Sequence, residues 1–408
     1  MDFYQVIYSR RYNWLEIGRT VDPVRNPFAP GAGSQPPELA GRDEIVNDAI
    51  TALKRTKIGR HARPQMLLGL RGTGKTVLLN TIETAAEADG YMTSVIEAPE
   101  RESLVELLYP KMQQALRKLS HIESAKAETH AALKALRSFV SVFRVQMGDF
   151  SVSVDPEPGV ADSGNLEYDL SDMFVAIGTA AKAAGKGWCL LIDEVQYLDE
   201  EELAALIVAI HKISQKQLPV IFFGAGLPQL AGLSGNAKSY AERLFSYPQV
   251  GALDAAAAVQ AVRGPINDEQ EDITADALKK ILQITKGYPY FLQEWGFQSW
   301  NTADKSPINP GDVQVATGDA LRRLDNGFFR VRFDRLTPKE REYVIAMSNL
   351  GKGPYRSSEV ADQLGEPPNR LGPRRAQIIA KGMIYSPQYG DIDFTVPMFD
   401  DYLRRNWK

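Results

Sequence analysis

Apolar runs of strand length recur at residues 65–70, 92–98, 188–192, 220–224 and 249–253, and apolar residues at helical spacing, such as Ile45, Ala49, Ile50 and Leu53, separate most of them. A strand that is apolar on both faces is buried on both, and helical crossovers between such strands make them parallel. The pattern therefore predicts an α/β fold: a core with a parallel five-stranded sheet covered by helices. Its first helix is expected to begin near Arg42.

The second gap between these runs is unusually long. Helical patterns at 104–119 and 125–139 precede an alternating stretch, Phe143, Val145, Met147, then Phe150, Val152, Val154 about Gly148-Asp149, which predicts a β-hairpin inside an insertion at about 101–187. A surface ribbon and a partner contact are both open readings of that hairpin. Residues 255 to 320 read as wholly helical, clearest at 255–262, 275–285 and 288–301, and make a small lid. Beyond Leu336, three short helical patterns (338–349, 357–364, 373–381) lead into two short strands (383–386, 391–396), the order of a winged helix-turn-helix. Residues 1–35, with a Pro- and Gly-rich run from Asn26 to Gly33, read as an extended arm. The expected division is an arm at 1–35, a core at 36–254, a lid at 255–325 and a winged helix at 326–408.

Composition narrows the chemistry. At 408 residues, 44% hydrophobic and 24% charged, the chain is an ordinary globular protein of more than one domain. Its single cysteine, Cys189, cannot form an internal disulfide or a cysteine-rich metal site, and four histidines exclude a His-rich one. A net charge of −4 excludes a wholly basic nucleic-acid binder, but residues 322–408 carry 16 Lys and Arg against 11 Asp and Glu. No apolar stretch is long enough to span a membrane and the amino terminus has no apolar signal core, so the expected address is cytoplasmic, with no membrane partner.

The sharpest chemical signal is Gly69-Leu70-Arg71-Gly72-Thr73-Gly74-Lys75-Thr76, which follows an apolar strand and precedes the helical Val77-Leu78-Leu79. In that context a glycine-rich loop turns its N–H groups onto a phosphate, at the positive end of the next helix. Gly69, Arg71, Gly72, Thr73, Gly74, Lys75, Thr76 and Val77 are thus candidate nucleotide ligands, Lys75 neutralising the β- and γ-phosphates and Thr76 ligating Mg²⁺. A second apolar strand ends in Asp193-Glu194, two acids that a buried strand interior would not tolerate. Asp193 is the candidate metal carboxylate and Glu194 the candidate base for the attacking water. Cys189, inside that strand, reads as a packed apolar residue.

These motifs, with Leu39-Ala40-Gly41-Arg42-Asp43-Glu44 ahead of them and Val195-Gln196-Tyr197-Leu198 after the acids, resemble the AAA+ and STAND P-loop ATPases, in the branch of origin-recognition initiators and archaeal-type ATPases. The resemblance implies that Gly41 and Arg42 lie beside adenine, although Arg42 also suits a plain helix start. It implies an arginine finger at Arg243, in Ser239-Tyr240-Ala241-Glu242-Arg243, which would act on a neighbouring subunit; a surface ion-pairing arginine is the other reading. Thr285-Lys286-Gly287-Tyr288-Pro289 is similar to the STAND lid motif, whose proline packs on the base, so Pro289 joins the candidates. Two departures stand out: the lid segment has no sensor arginine, and 222–228 has no polar sensor side chain.

The carboxy-terminal segment is similar to the module that follows the lid in the same branch. Arg370, Arg374 and Arg375 lie at the start of its expected recognition helix, where DNA-binding relatives make contacts. The expected function is Mg²⁺-dependent ATP binding and hydrolysis whose nucleotide state controls a winged helix that engages duplex DNA. The rival is a slow nucleotide-gated switch acting through a protein partner without DNA binding; self-association is also an open partner.

Overall fold

The computed structural model of the protein describes residues 21–31, 36–99, 102–143 and 159–407. Its central sheet contains β1 (Gln65–Leu68), β2 (Tyr91–Glu97), β3 (Gly187–Asp193) and β4 (Val220–Gly226), all parallel, in the order β1-β4-β3-β2. Each residue of β1, β3 and β4 is buried, as the continuous apolar runs require. Cys189 is buried in β3 as a core residue, and burial pushes its thiol pKa up.

The expected fifth strand is reduced to two isolated parallel bridges beside β1, Gln65 to Ser246 and Leu68 to Gln249. Proline explains the break. Met66 and Leu68 donate N–H bonds of 2.9 Å to the carbonyls of Ser246 and Pro248, but Pro248 has no N–H to return to Met66.

Helices α1 (Asp43–Lys57) and α2 (Lys75–Ala88) cover one face of the sheet. On the other lie α3 (Leu104–Ser120), α4 (Lys126–Phe143), α5 (Leu166–Ala183) and α6 (Glu200–Gln215), whose apolar residues share one core with Met92, Trp188 and Phe222. The inserted helices are thus part of the core. Helix α5, not singled out in the sequence, buries Leu170, Met173, Phe174, Ile177, Ala180 and Ala181, which recur at helical spacing along one face. Two short helices follow β4, α7 (Leu230–Ala237) and α8 (Ala241–Leu244). The hairpin expected about Gly148-Asp149 falls outside the described residues.

The lid contains α9 (Ala255–Asp268), α10 (Ala275–Thr285), α11 (Pro289–Thr302) and α12 (Pro310–Arg323). Helix α12 runs on through a π-helical turn, Leu324–Phe329, into α13 (Arg330–Asp334), so the expected boundary at 325 falls inside one helical run. Beyond it, α14 (Pro338–Asn349), β5 (Tyr355–Arg356), α15 (Ser357–Leu364), α16 (Pro368–Ala380), β6 (Ile384–Tyr385), β7 (Asp391–Phe394) and α17 (Phe399–Asn406) form a module of helices and an antiparallel sheet ordered β5-β7-β6. Helix α16 starts at Pro368, before the expected 373, because a proline fits a first turn without losing a bond.

Residues 21–31 are not an extended arm. Val21 is fully buried and Phe28 is 3% exposed, both in the lid core. Trp300 Nε1 donates to Asp22 O at 2.8 Å, and Asn26 Nδ2 donates to Phe297 O at 3.0 Å. Apart from the 3-10 turn Pro23–Arg25 the backbone here is irregular, yet side chains satisfy it and permit burial. The Phe28 ring lies where α11 has Gly296; a Cβ there would come within 2.6 Å of it. Phe28→Ala is expected to destabilise the lid by about 3 kcal/mol, read as a lower unfolding midpoint in urea.

Candidate functional site: a nucleotide cleft between core and lid

The phosphate-binding loop joins β1 to α2, with Gly74 at φ 93° as the helix N-cap, a conformation costly for any residue with a Cβ. Lys75 follows it, 5% exposed, donating from Nζ to Leu70 O at 2.9 Å. Burial pushes the Lys75 pKa down; Glu194 and Asp193 oppose the shift, and Arg71 adds to it. The parallel register brings the end of β3 beside this loop, so Thr76 Oγ1 donates to Asp193 Oδ2 at 2.5 Å. Asp193 is 7% exposed; burial raises its pKa, while the Thr76 bond pulls it back. Glu194 follows at φ 55°, a left-handed conformation that costs energy for a non-glycine residue.

These groups face a cavity of about 550 Å³ between core and lid. Arg71, Gly72, Thr73, Gly74, Lys75, Thr76 and Val77 line its phosphate end together with Asp193 and Glu194; Gly41 and Gly69 do not line it. Leu39, Arg42, Leu253 and Pro289 line it further out, joined by Ala29 and Pro30 of the amino-terminal segment. Arg42 donates to Gly251 O, and burial lowers its pKa. Its guanidinium thus ties the start of α1 to the segment before the lid while edging the cavity.

Two other parts of the chain grip the loop directly. From the lid, Tyr290 N–H donates to Gly72 O at 3.1 Å and the Tyr288 hydroxyl donates to Arg71 O. From the carboxy-terminal module, Thr395 O accepts the Arg71 N–H at 3.3 Å. Gly382 faces the Arg71 side chain so closely that a Cβ there would lie 2.4 Å from Nη2. Arg71 also donates to the hydroxyl of Tyr197, just after the two acids.

Arg332 was not singled out in the sequence. It reaches the cavity from α13, its guanidinium carbon 3.8 Å from the Phe328 ring centroid, and Phe328 in turn stacks on Tyr290. Its pKa is pushed down to about 10, chiefly by burial and then by Arg71. The Nε atoms of Arg71 and Arg332 are both buried without a hydrogen-bond partner. Two guanidinium groups so placed favour an anion between them. No local pattern marks Arg332; only the helical run through the π turn carries it here.

The remaining candidates lie elsewhere. Arg243 is exposed on α8 and does not line the cavity. In the carboxy-terminal module Arg370 is exposed, Arg374 forms a forked pair with Glu366 at 3.1 and 3.2 Å, and Arg375 donates to Ser357 Oγ at 3.0 Å. Among the described residues no group of three or more His, Cys, Asp and Glu could hold a metal, and no helix is long and apolar enough to cross a membrane.

Residues 38–223 match the family described as AAA ATPase domain. Residues 38–223 are an AAA-type ATPase domain on a P-loop fold. Residues 326–403 of this ATPase match a family described as a domain of unknown function, DUF8462, which begins inside the π-helical turn. No curated protein matches. Among solved structures, the ATPase is similar to the Walker-type ATPase PABY2304 of Pyrococcus abyssi, with 16% identity, a TM-score of 0.53, and coverage of 90% of this chain and 96% of that one. It is also similar to the Aeropyrum pernix Orc1 protein in complex with DNA (12%, TM-score 0.47, 94% and 96%). The Thermotoga maritima RuvB Holliday junction branch migration motor gives 14%, a TM-score of 0.44, and coverage of 91% and 98%. At such identities the first likeness establishes a shared fold; the other two add nothing to the argument.

Proposed function

We propose that this ATPase is a nucleotide-gated switch: ATP and Mg²⁺ bind in the cleft between core and lid, and the nucleotide state sets the position of the carboxy-terminal module. The observation that carries the reading is the direct seat of that module on the phosphate loop, through Thr395 O, Gly382 and Arg71. Lys75 neutralises the β- and γ-phosphates, and Glu194 orients the attacking water. Pro289 and Leu39 flank the base. A hydroxyl and one carboxylate, Thr76 and Asp193, suit a small cation that keeps several waters and takes its other ligands from phosphate, so a larger carboxylate cluster is not needed. When bound, Mg²⁺ neutralises charge on the phosphate oxygens.

Arg332 fills the place of the sensor arginine missing from the lid motif. It sits on the helical run that leads into the carboxy-terminal module, so an anion drawn between Arg332 and Arg71 biases the module's orientation. Hydrogen exchange on the Glu194→Gln protein tests this. Amides at 324–334 and 382–396 are expected to exchange at different rates with ATP and with ADP, and Arg332→Ala should erase the difference. Identical exchange in both states would sink the gating.

A duplex DNA partner is the second reading, favoured by the net charge of +5 over residues 322–408 and by exposed Arg370. The internal bonds of Arg374 and Arg375 weigh against it, and a protein partner or self-association through Arg243 fits the same switch. DNA affinity that falls steeply with salt would favour the DNA reading.

A further inference from the structure

The end of β4 has no polar side chain to orient a catalytic water: it reads Gly224-Ala225-Gly226-Leu227. Beside it, a glutamine side chain makes two bonds. Gln196, in the 3-10 turn Val195–Tyr197, donates from Nε2 to Glu194 Oε2 and accepts at Oε1 from the Leu227 N–H at 3.0 Å. The adjoining Gly226 carbonyl accepts from Gly69 N–H, the first residue of the phosphate loop, at 3.1 Å. A Cβ at Gly226 would stand 2.6 Å from Gln196 Oε1, so this approach requires glycine.

We infer that Gln196 is a positioning residue for hydrolysis, fixing the Glu194 carboxylate against the backbone of β4 and thereby against the phosphate loop. The inference rests on Glu194 being the base. One carboxylate oxygen, Oε2, is engaged by the amide, which leaves Oε1 for the water. The Glu194 side chain meets Gln196 from a left-handed backbone, and the Leu227 N–H at the end of β4 supplies the rigid end of the tether. The amide thus does, through Glu194, the orienting that a polar side chain on β4 itself would otherwise do.

Gln196→Met keeps the length of the side chain and removes both bonds. It is expected to lower kcat about 10- to 100-fold while leaving the Kd for ATP unchanged, since misplacing a reacting group by about 1 Å has that cost. In the Glu194→Gln background the same substitution should cause no further loss, because its effect passes through the carboxylate. Gly226→Ala, whose Cβ would press on the Gln196 amide oxygen while residue 196 stays glutamine, should reproduce the defect if Gln196→Met folds poorly. A wild-type kcat for Gln196→Met, an equal loss in the Glu194→Gln background, or a weakened Kd would each overturn the assignment. If Glu194→Gln itself turns over normally, the base assignment fails; if Glu194→Gln is slow and Gln196→Met is not, only the role of Gln196 fails.

Discussion

Lys75→Ala is expected to weaken ATP binding by at least about 100-fold, a loss of some 3 kcal/mol, in a fluorescent-nucleotide titration. The ammonium group is almost wholly buried, and it donates to a neutral carbonyl, Leu70 O. Burial has already pushed its pKa down, which means that the charge lacks adequate compensation before nucleotide arrives. A triphosphate supplies that compensation. The same argument fixes the sign of a pH effect in the nucleotide-free protein. Because the folded pKa is depressed, the unfolded chain binds more protons between the folded value and the ordinary lysine value, so stability rises with pH across that window. Lys75→Ala should lose this rise, seen in urea midpoints measured through the alkaline range, and retained ATP affinity would remove Lys75 from the phosphate site.

Glu194→Gln is expected to bind ATP normally and to hydrolyse it about 10²- to 10⁴-fold more slowly. An amide keeps the size of the side chain and can still accept the bond from Gln196 at its oxygen, so the local geometry survives and only the base is removed. Glutamine bears the left-handed backbone no worse than glutamate does. Asp193, one residue away, already accepts from Thr76 at one oxygen and from the Glu194 N–H at 2.8 Å at the other, and the variant leaves both bonds in place. Steady-state turnover with the variant as blank measures the difference; an unchanged kcat would shift the base role to another group.

Much of the site was legible because its chemistry is local. The loop 69–76 and the acids 193–194 each lie in a short contiguous segment whose strand context can be read from apolar runs. The sheet was legible for the same reason, apart from the segment at 246–250, where one proline interrupts a pattern that otherwise suits a strand. The amino-terminal segment was misread because Pro and Gly report what the backbone cannot form, whereas burial of Val21 and Phe28 depends on a groove more than two hundred residues away. Gln196 lies inside the segment Val195–Leu198 that follows the acids, but only its bond to Leu227 marks it as a tether. Arg374 and Arg375 look free in sequence and are engaged in the fold, since Glu366 and Ser357 meet them only when α15 and α16 pack.

By itself, then, the sequence determined the phosphate loop, the acidic strand end, the parallel α/β core and, behind the lid, three helices and two strands but not the short strand β5 between the first two helices. These follow from periodicity and from residue chemistry within a few positions. Only the tertiary structure decided that Arg332 reaches the cavity, that Thr395 and Gly382 sit on Arg71, and that residues 21–31 belong to the lid. Those contacts join segments hundreds of residues apart, and their existence depends on how helices pack against one another, which no local pattern of hydrophobic and polar positions encodes.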